Sequence, residues 1–242
     1  QVLARERIYS ELVAGLMCGA PTRSIRELRS SGLLETLLPE VDQLFGIPQP
    51  ALYHPEIDTG IHILLALEVA HELGANEAVM IAVLLHDLGK GVTAPSEWPR
   101  HVRHEHAGIE HVEAVCARLG TPDRVRRLAV VTCSKHLMVH QSPTLRAGTL
   151  GKLLEACGVF SQASLLDDVL IACEADARGR AGLEQRPYSA KTWLRKCAAQ
   201  ARTVDVQNLR ERGHEGAALG EAIRQDRAAL IGKLQRPTAE AE

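Results

Sequence analysis

A chain of 242 residues with 45% hydrophobic content can bury one sizeable core, or one core plus a helical extension, which excludes a disordered tail. Its net charge of -2 excludes a protein whose main business is coating nucleic acid, because such domains carry a strong basic excess; local basic patches are still allowed. Two Phe, three Tyr and two Trp stand against abundant Leu, Ala and Val, and alternating β-branched runs are scarce, so helices are expected.

Cys18, Cys116, Cys133, Cys157, Cys173 and Cys197 form no C-x-x-C pair, and several lie in apolar helical stretches. They read as reduced core residues of a cytosolic protein. No segment reaches the roughly 18 to 20 apolar residues of a membrane span, and there is no signal-peptide pattern, so a cytoplasmic location without a membrane partner is expected. The chain opens on Gln1 directly into helix-like sequence, which predicts a piece of something longer.

In chain order, apolar positions Ile8, Leu12, Val13 and Leu16 predict a helix over 5–17, with short helices over 22–29 and 32–37. Pro39, Gly46, Pro48, Pro50 and Pro55 predict a linker or stiff ordered loop. Asp58 or Thr59 then caps a helix that ends at Gly74 and carries His62 in its first turn. Asn76 caps a helix over 77–88 that is apolar on nearly all sides and therefore central. A polar loop with Pro95 and Pro99 follows, then helices over 106–119, 122–136, after Thr149, and over 161–177. Two amphipathic helices over 189–212 and 215–235 and a frayed, Pro- and acid-containing tail complete the chain.

His86 and Asp87 are consecutive at the end of the most apolar helix, where two ionisable groups are costly to bury without partners. A shared cation offsets that cost, but adjacent helical residues point about 100° apart, so other helices must supply the remaining ligands. His62 and Asp176, in Glu174-Ala-Asp-Ala-Arg-Gly-Arg180, are the candidates. Imidazole and carboxylate together suit Mn, Fe, Ni, Co, Zn or Mg.

His62, the His86-Asp87 pair and the distant Asp176 resemble the H…HD…D signature of the HD phosphohydrolase superfamily, and Gly89-Lys90 extends it to the frequent H-D-x-G-K form. The stretches 54–62, 86–91 and 174–180 resemble the C-terminal half of the bacterial multifunctional CCA-adding tRNA nucleotidyltransferases, over nearly the whole chain. The resemblance implies an all-α fold: a helical neck or body over 1–50, an HD-domain helical bundle over 51–182, and a C-terminal helical extension over 183–242. It implies a phosphatase with 2′,3′-cyclic phosphodiesterase and 2′-nucleotidase activities, dependent on a divalent metal (Ni, Mg, Mn or Co). The metal ligands it implies are His62, His86, Asp87 and Asp176. Its implied partners are tRNA or the tRNA 3′ end, 2′,3′-cyclic and 2′-nucleotides, and an N-terminal nucleotidyltransferase half; a homo-oligomer is allowed. This sequence holds no Gly-Ser turn followed by paired acids, so nucleotidyl transfer is not expected of this segment.

Each candidate has a plainer alternative. For His86 and Asp87 it is a helix cap, and for Asp176 a surface pair with Arg178 or Arg180. Asp87 is expected both to ligate and to orient water, with Lys90, His104 and His136 as further catalytic candidates and His140 behind them. Lys90 is placed to meet a phosphate, or else to serve as a C-terminal helix cation. Arg178 and Arg180 form a phosphate clamp or pair structurally with neighbouring acids. His71, His101, His106, His111 and His214 are expected on the solvated surface, Glu174 is expected to face elsewhere or to support the site, and Arg100, Arg103, Arg124, Arg126 and Arg127 either touch RNA or form solvated faces. A rival reading makes the chain a non-catalytic tRNA-binding module; a third keeps the fold with a deoxynucleotide triphosphate or an alarmone as substrate.

Overall fold

The computed structural model describes residues 5–237. Among these it holds thirteen α-helices and no strand, with one isolated antiparallel bridge between Pro48 and Asp58. The expected all-α helical bundle is what forms. No helix among the described residues is long and apolar enough to cross a membrane. The tail expected beyond residue 235 lies almost wholly outside the described residues.

The described chain divides into two compact units, residues 5–137 with 168–187, and residues 138–167 with 188–237. The first contains α1 (Arg5–Met17), α2 (Pro21–Ser30), α3 (Leu33–Leu37), α4 (Pro39–Asp42), α5 (Thr59–Glu72), α6 (Glu77–Leu85) and α7 (His104–Leu119). Most of α8 (Asp123–His140) also belongs to it. The second contains α9 (Ala147–Ala156), and α10 (Ala163–Arg178) carries the chain back to the first. α11 (Ser189–Ala201), α12 (Val206–Glu211) and α13 (Gly216–Gly232) complete the second unit.

α6 is the axis of the first unit because residues 78–85 are buried without exception, as a helix apolar on all sides requires. α5 packs on it. Asp58 caps α5 by accepting from Ile61 N at 2.9 Å, which fixes where the first turn begins and so where His62 stands. Gly60 lies under the Phe45 ring, where a Cβ would come within 2.4 Å of ring carbon. Only glycine permits that contact.

Several expected boundaries move. α6 ends at Leu85, so His86 is its cap and Asp87 leads into a 3₁₀ turn over Leu88–Val92. The cause is tertiary: Gly89 passes beneath the start of α7, with the His104 carbonyl oxygen 1.9 Å from the position of a Cβ. The expected loop after Pro39 contains α4, with Pro39 in the first turn, where its missing N–H costs nothing. The single helix expected over 189–212 is two, because Asp205 caps α12 by accepting from Asn208 N. α8 runs four residues past the expected end at His136. Five cysteines are buried as expected, while Cys18 is exposed.

Candidate metal centre

Five segments of the first unit converge. His62 enters from the first turn of α5, His86 and Asp87 from the end of α6, His104 from the first turn of α7, His136 from α8 and Asp176 from the last turns of α10. All six are buried. α10 comes this close because Gly179 has no side chain: a Cβ there would lie 2.4 Å from Ala66 Cα on α5.

The four imidazoles are oriented alike. His62 Nδ1 donates to Gly179 O at 3.0 Å and His86 Nδ1 to Val83 O at 2.8 Å. His104 Nδ1 donates to His101 O at 3.0 Å and His136 Nδ1 to Cys133 O at 2.9 Å. A carbonyl oxygen can only accept, so Nδ1 carries a proton in each ring, and a ring in its neutral form presents Nε2 as a lone pair. Those lone pairs point at carboxylate oxygens and at one another. His62 Nε2 lies 3.1 Å from Asp176 Oδ1, and His86 Nε2 lies 3.7 Å from that atom and 3.3 Å from Asp87 Oδ2. His104 Nε2 and His136 Nε2 are 3.2 Å and 3.7 Å from Asp87 Oδ1 and 3.3 Å from each other.

Acceptors facing acceptors at these separations repel unless a proton or a cation lies among them. His86 Nε2 and Asp87 Oδ1 are buried without an aligned hydrogen bond, which marks where the positive charge is wanted. Burial resists charge on His86, but the carboxylates of Asp87 and Asp176 outweigh it and push the imidazole up to about 10. Burial likewise resists the charge of Asp87, yet Lys90 and His86 hold its carboxyl well below the usual range. At His136 burial prevails and the imidazole falls to about 3, so this ring stays neutral and ligand-ready. The donor set therefore fits divalent cations that accept nitrogen and oxygen together. Three groups of ligand atoms meet the spacing, each with its atoms within 4.8 Å of one another: His62, His86 and Asp176; Asp87, His104 and His136; and, behind His62, His54, Glu56 and His62.

The remaining candidates fall differently. Lys90 is buried and its Nζ donates to Asp87 Oδ2 at 2.6 Å and to Gln49 Oε1 at 2.5 Å, so it fixes the Asp87 carboxylate. Arg180 Nη2 lies 3.8 Å from Asp176 Oδ1, whereas Arg178 donates to Glu174 at 3.1 Å and to Glu184 O at 2.7 Å. Glu174 thus pairs with Arg178. His140 belongs to the second unit, where its Nδ1 is 2.9 Å from the Tyr188 hydroxyl. Among the arginines read as RNA contacts or solvated faces, Arg124 pairs with Asp168 and Arg126 with Glu113 and Asp123. His106 is exposed as expected. His101 is not: it is 1% exposed, with Nε2 2.8 Å from Pro48 O and Nδ1 2.5 Å from Thr93 Oγ1. The backbone left-handedness of His101 and Arg103, which turns this ring inward, has no sequence signal in non-glycine residues.

Glu56 was also missed. Its carboxylate lies 3.1 Å from Nδ1 of both His54 and His62. Burial would raise it, but hydrogen bonds from the two imidazoles hold it well below its ordinary value. Burial in turn depresses His54 to about 4, the Glu56 bond offsetting only part of it. A carboxylate behind a ligating histidine fixes the ring's tautomer and strengthens it as a donor. Glu56 lies within the stretch 54–62 quoted above, but a loop without periodicity gives no face on which to place it.

Comparison with known proteins agrees with this geometry. Residues 59–177 match the HD domain family, and residues 1–45 match the probable RNA- and SrmB-binding site of polymerase A. The chain is 46% identical over 234 residues to the multifunctional CCA protein of Alkalilimnicola ehrlichii, covering 97% of the chain and 57% of that protein. It is 45% identical over 231 residues to that of Pseudomonas fluorescens, covering 96% and 56%, and 42% identical over 234 residues to that of Methylococcus capsulatus, covering 96% and 55%. The chain thus spans a little over half the length of these relatives. The chain carries an HD domain over residues 59–177 and is homologous, over nearly all of its own length, to the C-terminal half of proteins named multifunctional CCA protein.

Proposed function

We propose that the chain is a divalent-metal-dependent phosphohydrolase, acting on 2′,3′-cyclic nucleotides, 2′-nucleotides and related phosphomonoesters. It would form the HD part of a longer cytoplasmic enzyme whose other half builds and repairs tRNA 3′ ends. The observation that carries this reading is the buried ring of inward-facing acceptors, four imidazole Nε2 atoms and two carboxylates, with His86 Nε2 and Asp87 Oδ1 unsatisfied.

In this reading His62, His86 and Asp176 hold one cation and Asp87, His104 and His136 a second, with Asp87 between the two sets. Bound there, divalent cations (Ni, Co, Mn or Mg) supply Lewis acidity toward a phosphoryl oxygen and lower the pKa of a water. Asp87 would orient that water through Oδ1, because Lys90, itself held by Gln49, fixes the other carboxylate oxygen by donating to Oδ2. Water adds to phosphorus and a P–O ester bond breaks, giving free phosphate from a monoester or a monoester from a cyclic diester. Arg180, beside Asp176, is the guanidinium best placed to steady phosphoryl oxygens; Arg178 is held by Glu174 and Glu184.

The match of residues 1–45 to an RNA-binding site supports tRNA as the larger partner, and so supports the division into a neck or body, the HD domain and a C-terminal extension. It also supports a second reading, in which the chain only grips tRNA. The two separate in one assay of purified protein with 2′,3′-cyclic nucleotides and 2′-nucleotides in Ni, Co, Mn or Mg. Turnover that vanishes in the His86→Ala, Asp87→Ala double variant is the expected result; turnover that survives it sinks the phosphohydrolase. Salt-sensitive tRNA binding without turnover would leave the binding module.

A further inference from the structure

Gln49 stands between Pro48 and Pro50, and a residue that precedes proline is held out of the helical region and in extended backbone. The segment accordingly runs against residues 57–59. Pro48 bridges to Asp58 in the antiparallel sense, Gln49 N donates to Ile57 O at 2.7 Å, and Thr59 N and Oγ1 donate to Ile47 O at 3.0 and 2.9 Å. His101 Nε2 meets Pro48 O at 2.8 Å. The backbone is thus fixed on either side of Gln49, and the residue is 2% exposed.

A buried primary amide is costly unless both of its ends are bonded. Here one end meets a cation and the other a carboxylate: Oε1 accepts from Lys90 Nζ at 2.5 Å, and Nε2 donates to Glu56 Oε1 at 3.5 Å. The ammonium has only donors and the carboxylate only acceptors, so the amide fits in this one orientation. Each of the two charged groups also supports a different set of ligand atoms. Lys90 donates to Asp87 Oδ2 at 2.6 Å, and Asp87 belongs with His104 and His136. Glu56 lies 3.1 Å from His62 Nδ1, and His62 belongs with His86 and Asp176. Asp87, Lys90, Gln49, Glu56 and His62 therefore form one connected line that starts in one set and ends in the other. Its middle member alone carries no charge and does not titrate.

We propose that Gln49 is a positioning residue of the metal centre, which keeps Lys90 and Glu56 apart and couples the two sets of ligand atoms that they support. The inference rests on reading the cluster as a metal centre and deepens that reading. A buried ammonium and a buried carboxylate attract each other strongly. Direct pairing would draw Lys90 from Asp87, or Glu56 from His62 and His54. A neutral amide, with an acceptor at one end and a donor at the other, satisfies both charges and holds them apart. Glutamate here would repel Glu56, and lysine would repel Lys90, so neither can take the place of the amide. A shift in either set is passed along the line, so the affinity of one set for its cation depends on the supports of the other.

The test is a mutant cycle on the metal-stripped full chain, read by calorimetric cobalt titration as the overall affinity for all cobalt bound. The parent, Lys90→Met, Glu56→Gln and the double variant are compared with Gln49 present. They are compared again in a Gln49→Met background, which keeps the length and removes both ends of the amide. With Gln49 present, the loss in the double variant is expected to differ by more than about twofold from the product of the two single losses. In the Gln49→Met background the losses are expected to multiply to within about twofold. Gln49→Glu still accepts from Lys90 but repels Glu56; it is expected to abolish the coupling in the same way, and it serves where the methionine variant does not fold. Losses that multiply with Gln49 present, or coupling that persists undiminished without it, would overturn the proposal. If the parent binds no cobalt, the reading as a metal centre fails, and the same cycle on the midpoint of urea unfolding decides the link itself. Coupled shifts that become additive in Gln49→Met would uphold the link, and shifts additive in both backgrounds would overturn it.

Discussion

At the residue scale, the centre depends on which nitrogen of each imidazole faces inward. Backbone carbonyls make that choice for His86, His104 and His136, while at His62 the Gly179 carbonyl is joined by the Glu56 carboxylate. Replacing Glu56 by Gln removes the charge behind His62 and keeps the volume. The expected result is a loss of cation affinity of about 10- to 100-fold by titration calorimetry, with helical circular dichroism unchanged. Unchanged affinity would mean that the Gly179 carbonyl alone orients the ring. Replacing Lys90 by Met, of similar length, leaves Asp87 Oδ2 without its donor; activity on every phosphoester is expected to fall together, through kcat more than KM. A rise in KM alone would instead mean that Lys90 contacts the substrate.

That His62, His86, Asp87 and Asp176 come together was legible in the sequence because His86 and Asp87 interrupt an apolar helix, and burial of two charges there demands partners. The contacts of Lys90 were not, since the sequence cannot show Gln49, which approaches from 41 residues away. His101 was misread as a surface residue for a similar reason: its burial follows from a left-handed backbone, which composition does not announce.

At the element scale, close approaches of backbone position the clustered side chains. Gly89→Ala would drive a Cβ into the His104 carbonyl and the Gly108 amide, at 1.9 and 2.7 Å, displacing the start of α7 and His104 with it. Overpacking of this kind costs about 1 to 3 kcal/mol, so the melting temperature is expected to drop by several degrees and cation affinity to weaken together. An unshifted melting temperature would show that the turn has room to move. Arg118 on α7 grips Glu40 on α4 with both ends of its guanidinium, at 2.8 and 2.5 Å. Burial opposes the Glu40 charge, but Arg118 wins and lowers its pKa. A carboxylate depressed in the folded state stabilises above its unfolded pKa and loses that contribution as pH falls through the folded value. The pair is partly exposed, so Arg118→Ala is expected to cost about 1 kcal/mol or less at neutral pH, and less still in acid. A cost that grew on acidification would contradict the pairing.

Helix existence was legible wherever apolar residues recur at helical spacing, as in α1, α5 and α10. The ends failed where tertiary contact decides them. α6 stops three residues early because α7 crosses the Gly89 turn, and α11 stops before Asp205 because that side chain caps the next helix.

At the scale of the whole molecule, the centre is assembled from segments separated by more than 100 residues, His62 donating to Gly179 O and facing Asp176 across the first unit. The second unit has its own core: Trp193, Leu194 and Cys197 on α11 and Ile231 on α13 are buried, and Trp193 Nε1 donates to Ser142 O at 3.1 Å. Trp193→Ala is expected to destabilise that core by about 3 to 5 kcal/mol, read from denaturant unfolding. The whole chain's relation to the CCA proteins sets its context, and the proposed chemistry rests on the buried cluster.

The most direct test of that chemistry is a cobalt titration of the metal-stripped full chain, followed by visible absorption and calorimetry. Saturable binding with the d–d bands of nitrogen and oxygen ligation, abolished or strongly weakened in His86→Ala, is the expected result. Absence of saturable binding, or binding equally strong in His86→Ala, would contradict the assignment of this cluster as a metal centre.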